Sequence, residues 1–467
     1  MTGRVVIVGA GLAGLVAGYR LRRTRPDVDV VAVDAAAAPG GKVRTDVVDG
    51  YRIEHGPQAY QDEEGGPLGR LVADLGLEGE VVKARPEAAI RYLVRNGRLV
   101  RIPQDPLRLA LSPLLSFDGF VRLAREPFVP GRPAGAPPES VAAWARRRVG
   151  REAASRLVDA MVAGVFAGDP ARLELESAFP RIHELEMRYG GMVRGLLAGG
   201  MKRRGLATFR AGLGALPAAL ARALGPALRL RARAVRLGPE GGAWRVTLEG
   251  GEAIAAATVI LASPALATER LVKPLDAPLA RLLDGIEHAD VAAVSLGYDV
   301  AAFPAGTPQG FGFLAPQEAG LRTLGCLYPS SAFPGAAPPG KVQLRALVGG
   351  ARDPAAAALP DDDLVALVRR EVEPLVGPLA RPPEHVRIHR HPRGIPQYTL
   401  GHGARLAAID ARLRALPPGL VLAGSGYRGI SLSDVAASGE RAAEAGLALA
   451  AARTAPRPWD RDRGGRR

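Results

Sequence analysis

Apolar and polar positions alternate in two rhythms along this chain, and where the rhythm changes marks its organisation. Val5, Val6, Ile7 and Val8 form an uninterrupted β-branched run bounded by glycine, the pattern of a strand buried on both faces of a parallel sheet. Leu12, Leu15, Val16 and Tyr19 then recur at helical spacing over 12–23, and a second strand is expected at Val28–Val33. Glu87–Pro103 reads as two alternating strands turned at Asn96-Gly97, a strong hairpin signal, and Glu139–Val149 reads as an amphipathic helix. Strands return at 228–235, 244–248 and 257–262, then at 291–300 and 343–350, with one helix expected at Asp361–Val376. Gly419–Gly446 repeats the opening order of strand, glycine turn and helix.

These rhythms give an α/β class: a discontinuous Rossmann-like domain, an α+β substrate domain and a mostly helical insertion. The expected segments are 1–97, 206–270 and 405–454 for the cofactor domain, 98–205 for the insertion, 271–404 for the substrate domain and 455–467 for a disordered tail. The insertion carries apolar surface at Leu107–Leu115 and Met192–Met201, suited to a domain core, a substrate channel or a membrane-facing patch.

The chemistry starts at Gly9, Gly11 and Gly14, a G-x-G-x-x-G placed between strand and helix. Gly9 allows the tight turn, Gly11 admits a pyrophosphate to the backbone, and Gly14 lets the helix pack on the strand. Asp34, at the end of the second strand, suits both hydroxyls of an adenosine ribose and would repel a 2′-phosphate. Gly40 and Gly41, followed by Lys42 and Arg44, are expected to put a flexible turn and two cations by the pyrophosphate or ribose, which favours FAD over a nicotinamide cofactor. Gly56 and Pro57 are expected to place bare backbone near the flavin ring. Val235, ending the 228–235 strand, and Tyr427, Asp434 and Val435, around the last glycine turn, complete the cofactor set. Asp434 caps the final helix and is able to hold a hydroxyl.

Composition narrows the function mainly by exclusion. Of 62 basic residues only Lys42, Lys83, Lys202, Lys273 and Lys341 are lysine, so the formal charge of +15 reflects an arginine excess that biased codon supply explains. The cations are scattered without nucleic-acid-binding spacing, and no nucleic-acid partner is expected. Cys326 is the only cysteine, which excludes an internal disulfide and suits a reducing compartment; it reads as a small buried hydrophobe. No metal-ligand spacing is apparent. No run reaches the ~18–20 apolar residues of a spanning helix, and no signal peptide is read at the amino terminus. A cytoplasmic location follows as the expectation, with peripheral contact on the inner face of a membrane left open. His55 is weighed as a proton carrier and read as a hydrogen-bonded turn residue.

With both ends in view, the chain resembles the flavin-containing amine oxidase superfamily through VVIVGAGLAGL with Asp34, GGKVRT at 40–45 and LAGSGYRGISLSD at 422–434. Within it, ESVAAWARRRVG at 139–150, GVFAGDPARLELESAFP at 164–180, QGFGFLAP at 309–316 and above all HPRGIPQYTLGH at 391–402 resemble the porphyrinogen oxidases of haem biosynthesis. The resemblance implies noncovalent FAD, a porphyrinogen (protoporphyrinogen IX or coproporphyrinogen III) as substrate, O2 as acceptor giving H2O2, and transient contact with a downstream haem-pathway enzyme. It further implies that Arg91 faces a propionate and that Phe311 and Leu314 sandwich the macrocycle. Val435 departs from relatives that carry cysteine there. The flavin then carries the reaction, and no side-chain base is required. The rivals are an amine oxidase or carotenoid desaturase, for which lysine is scarce, and a flavin-free binding protein of the GDP-dissociation-inhibitor type, against which Asp34 and the second glycine turn argue.

Overall fold

The computed structural model describes residues 3–103, 105, 108, 109, 111–133, 135–199 and 205–454. The expected tail at 455–467 and part of both apolar stretches of the insertion (107, 110, 200, 201) lie outside the described residues.

All four residues of the Val5–Val8 strand are buried, because the strand is the centre of a five-stranded parallel sheet. Its neighbours are Val30–Val33 on one side and Thr258–Leu261 on the other, with Val5 opposite both Val30 and Thr258. Leu228–Arg229 and Leu420–Leu422 form the edges. Three distant stretches of chain thus build one sheet, as the three glycine- and strand-rich segments predict. On one face the Leu12–Thr24 helix packs through Ala13, Ala17 and Leu21 with Ala442 and Ala443 of the long Leu432–Thr454 helix. On the other face, Val6, Val8, Val259 and Leu261 meet Trp244, Val246 and Ile254 of a three-stranded antiparallel sheet, and two helices, Ala265–Val272 and Ala277–Asp284. Neither helix was anticipated, no element being expected between the 257–262 and 291–300 strands.

The second sheet has seven strands in the order His385–Pro396, His288–Asp299, Lys341–Gly349, Thr323–Leu327, Gly312–Leu314, Arg91–Arg95 and Arg98–Arg101. The Asp361–Val376 helix, at the predicted bounds, covers one face with Leu364, Leu367, Val368 and Val372. Asn96 (φ 49°) and Gly97 (φ 70°) turn the hairpin as predicted. Yet Arg91–Arg95 pairs in parallel with Gly312–Leu314, so this hairpin belongs to the substrate sheet, and a boundary drawn at 97 would split paired strands. Local sequence announces a hairpin; it does not say which sheet has the free edge that receives it.

Between the Arg98–Arg101 and Gly205–Phe209 strands the described residues are mainly helical, and Trp144, Val141, Val162 and Phe166 make a core together with Tyr398. Arg148 and Glu126, both fully buried, form an ion pair inside it. Among the described residues no helix is long and apolar enough to cross a membrane.

Candidate functional site between the two sheets

The glycine turn is built as the spacing demands. Gly9 has φ +114°, and a Cβ there would lie 2.8 Å from the Ala262 carbonyl carbon; a Cβ on Gly14 would overlap the carbonyl oxygen of Gly9. By contrast, nothing lies within 4 Å of where a Gly11 side chain would start. Gly11 is also the N-cap of the Leu12–Thr24 helix and offers its first turn no side-chain acceptor. The result is a set of helix-terminal N–H groups facing open space, a cradle for an anion. Gly40 donates to the Ala10 carbonyl at 2.8 Å and bridges to Gly11, so the second turn lies directly against the first.

Asp34 stands at the strand end as expected, but its carboxylate is already engaged. Oδ2 accepts from the Ala10 amide at 2.5 Å and Oδ1 from the Ala36 amide at 2.7 Å. It therefore organises the turn as well as offering lone pairs outward. The Arg231 and Ala232 amides donate to the Ala36 and Asp34 carbonyls, and Val235 follows half exposed in the Ala234–Glu240 strand. Asp434 accepts from the Ser431 hydroxyl at 2.6 Å while Ser431 Oγ accepts from the Asp434 amide, a reciprocal cap on the final helix. Val435 packs partly buried beneath it. Tyr427 is buried, and its carbonyl lies 2.9 Å from His402 Nε2.

The two expected cations follow directly on the second glycine turn. Val43, in the loop before the Thr45–Val48 strand, is buried among Leu12, Leu15 and Tyr60, and its neighbours Lys42 and Arg44 are half-buried and exposed. Lys42 donates to the Gly394 carbonyl in the seven-stranded sheet, and burial lowers its pKa. Arg44 is exposed and lines a cleft of about 660 Å³ with Asp46, His55, Arg369, Arg387 and His389.

A two-stranded hairpin, Thr45–Val48 with Tyr51–Glu54, meets the seven-stranded sheet through a polar seam that the sequence reading did not single out. Arg345, in the centre of the Lys341–Gly349 strand and 3% exposed, donates to the His55 carbonyl at 3.1 Å and the Gly56 carbonyl at 2.6 Å. Gly56 and Pro57 are thereby fixed by the substrate sheet, while Gln343 reaches the Arg52 carbonyl. Desolvation pulls the Arg345 pKa down to about 10. Nearby Glu54, 1% exposed, is pushed up to about 7 by burial, against the opposing pull of the Thr45 hydroxyl, the Leu213 amide, Arg345 and Arg52. One signal was available: in VQLRALVG, Gln343 and Arg345 alternate with Val342, Leu344 and Ala346, which puts a polar face on a strand with no exposed residue.

Three of the seven histidines, His288, His391 and His402, are committed to backbone carbonyls. His391 Nε2 lies 2.8 Å from the His55 carbonyl, and His402 stacks on Tyr398 at 4.2 Å. His55 and His389 stack at 3.8 Å, and both Nε2 atoms meet Asp46, at 2.9 and 3.1 Å. Burial raises the Asp46 pKa, but the two imidazoles outweigh it and hold the carboxyl at about 2; burial and then His55 depress His389 to about 4.

On the substrate side, the Arg91 guanidinium sits 5.4 Å from the centre of the Phe311 ring, and the Phe311 amide donates to the Ile90 carbonyl. Arg91 is exposed overall, yet crowding around its head group desolvates it and lowers its pKa. Leu314 does not join Phe311. It packs with Leu93 and Ala160 against Gly164, whereas Phe311 packs with Ala88, Phe333 and Ala336. Three positions apart along extended chain, the two side chains fall on opposite faces.

Three comparisons bear on this arrangement. The family model described as flavin containing amine oxidoreductase matches residues 12–446. Protoporphyrinogen oxidase of Homo sapiens is 34% identical over 476 residues, covering 94% of this chain and 97% of that protein. Coproporphyrinogen III oxidase of Bacillus subtilis (strain 168) is 27% identical over 463 residues, covering 94% and 96%. A crystal structure of a protein from Exiguobacterium sp. 255-15 superposes with a TM-score of 0.83 at 25% identity, covering 95% of this chain and 98% of its own.

Proposed function

The chain belongs to the flavin-containing amine oxidoreductase family, and from that premise we propose that it is an FAD-dependent oxidase converting a porphyrinogen to the porphyrin. When bound, FAD supplies the hydride acceptor for three two-electron steps. The residues present fit it: the open face at Gly11, the Gly40–Gly41 turn packed beside it and Asp34 at the strand end form a cradle for a dinucleotide. Gly56 and Pro57, held by Arg345, would back the ring, and Tyr427, Asp434 and Val435 lie at the turn leading into the last helix.

The observation that carries the substrate class is Arg91 over Phe311. A cation paired with an aromatic face suits a flat, carboxylate-bearing macrocycle, which offers a plane to stack and a propionate to pair. The chain's own residues then position and desolvate the substrate, and ring protons pass to water. Mixing the anaerobic, FAD-loaded protein with protoporphyrinogen IX or with coproporphyrinogen III tests this. Bleaching of the flavin band on anaerobic mixing, with porphyrin fluorescence growing in once dioxygen is admitted to reoxidise the flavin for the remaining two-electron steps, supports the assignment; an oxidised flavin band unchanged by either substrate overturns it. Dioxygen is the proposed acceptor, checked by peroxide formed per porphyrin.

Peripheral contact with an anionic lipid surface is part of the same reading. Phe117, Phe128 and Leu197 are 79%, 81% and 83% exposed in adjoining parts of the insertion, where Arg125, Arg188 and Arg194 are exposed as well. Co-sedimentation with phosphatidylserine vesicles, lost in Phe117→Ser/Phe128→Ser, is the expected result.

A further inference from the structure

We propose that Asp46, His55 and His389 form a binding site for a divalent transition-metal ion of the zinc type, set in the seam between a two-stranded hairpin and the seven-stranded sheet. The Thr45–Val48 and Tyr51–Glu54 strands form a hairpin, and the His55 amide extends it by donating to the Arg44 carbonyl at 2.9 Å, which brings His55 alongside Asp46. His389 comes from the other unit, in the edge strand of the seven-stranded sheet. One oxygen of Asp46 lies 2.9 Å from His55 Nε2 and the other 3.1 Å from His389 Nε2, and the ligand atoms of the three residues all fall within 4.8 Å of one another. An ion bonded at ~2.0–2.2 Å to each ligand needs them roughly 3 to 3.5 Å apart, so a small inward adjustment suffices.

Two imidazole nitrogens and one carboxylate oxygen select zinc, nickel, cobalt or copper rather than magnesium or calcium. The cleft in front leaves room for water as the remaining ligand, the pattern of an open three-ligand site. Arg44 and Arg387 at its rim oppose a dication, and Asp361 and Asp362 on the same wall offset them. Rival sites are poor. Among the described residues no other group of three such side chains converges. His288, His391 and His402 each place a ring nitrogen on a backbone carbonyl, and His183 and His385 each lie near a single carboxylate. An ion here would tie the hairpin to the substrate sheet one residue before Gly56, where Arg345 already holds the backbone.

The test is zinc uptake by the FAD-loaded full chain after treatment with EDTA and desalting, read as metal per chain by mass spectrometry and as affinity by calorimetry with ZnCl2. The expected result is about one zinc per chain, a raised Tm on binding, and no competition from MgCl2. Asp46→Asn, which keeps the shape, and His389→Ala should each weaken binding by at least ~10²-fold, a ligand mattering no less than its supporting shell. His55→Gln serves as a third variant if either fails to fold, as judged by circular dichroism. Absence of zinc uptake by the wild-type chain, or wild-type affinity in the folded variants, would overturn the site. Because the readout is metal and not turnover, it stands apart from the oxidase assignment.

Discussion

Arg345→Met probes the seam most directly, because it removes one buried cation and leaves its acceptors in place. The His55 and Gly56 carbonyls lose hydrogen bonds of 3.1 and 2.6 Å, each worth ~1.5–3 kcal/mol when the donor is charged. Relief of the guanidinium's own desolvation offsets part of that, so the net loss should be about 2–4 kcal/mol at pH 6. Glu54 makes the loss depend on pH. In the wild type its pKa rises from 4.5 to about 7 on folding, so the folded chain binds the extra proton between those values, and stability falls as pH climbs through that window. Without Arg345 the Glu54 pKa rises further, because one of the cations that lowered it is gone. The window then extends above pH 7, and each added unit contributes ~1.4 kcal/mol more destabilisation at pH 8 than at pH 6. Urea unfolding of the wild type and of Arg345→Met, at fixed excess FAD and at both pH values, measures the difference. In an Arg345→Met/Glu54→Gln background the pH dependence should vanish. Equal losses at pH 6 and pH 8, with no effect of adding Glu54→Gln, would refute the coupling.

Asp34→Ala should weaken FAD binding roughly 10- to 150-fold, the equivalent of ~1.5–3 kcal/mol, and should also lower the Tm of the apoprotein, since the Ala10 and Ala36 amides lose their acceptor; equilibrium dialysis and a melting curve separate the two. Arg91→Ala should raise KM about tenfold or more, because a propionate is held alike in ground and transition states, whereas Phe311→Ala should lower kcat as well by loosening the macrocycle plane. A wild-type KM in the first, or an unchanged kcat in the second, would assign those residues to structure alone. Acid should release intact FAD. The one thiol able to form a thioether, Cys326, is 1% exposed with its pKa pushed up to about 12, and it should stay unreactive to thiol reagents until the chain unfolds.

The cofactor half was legible because its signals are local. Gly9, Gly11, Gly14 and Asp34 lie within one βαβ unit, and the backbone demands on the first three follow from spacing alone. Asp361–Val376 was legible for the same reason, its periodicity being self-contained. Lys42 and Arg44 show the limit. Their charge and nearness to Gly41 suggest an anion; that Val43 between them enters the core and that Lys42 donates to the Gly394 carbonyl of the seven-stranded sheet are tertiary facts no local window contains. Phe311 and Leu314, three positions apart, lie in separate apolar clusters, a placement that spacing along the chain does not reveal.

The seam was hidden by sequence distance rather than by weak chemistry. Arg345 lies 290 residues from His55 and Gln343 lies 291 from Arg52, so no window along the chain contains both partners. What remains visible in one strand is a polar face that must be buried, and such a face costs several kcal/mol unless it is satisfied. The physical inference available from VQLRALVG is therefore the existence of a buried partner with carbonyls to spare. The two carbonyls that answer it are those of His55 and Gly56, successive residues just after the Tyr51–Glu54 strand. A hydrophobic joint between the sheets would permit sliding, because burial is indifferent to small displacements. A guanidinium donating to two successive carbonyls is not, and the directionality of those bonds gives the site between the sheets one geometry.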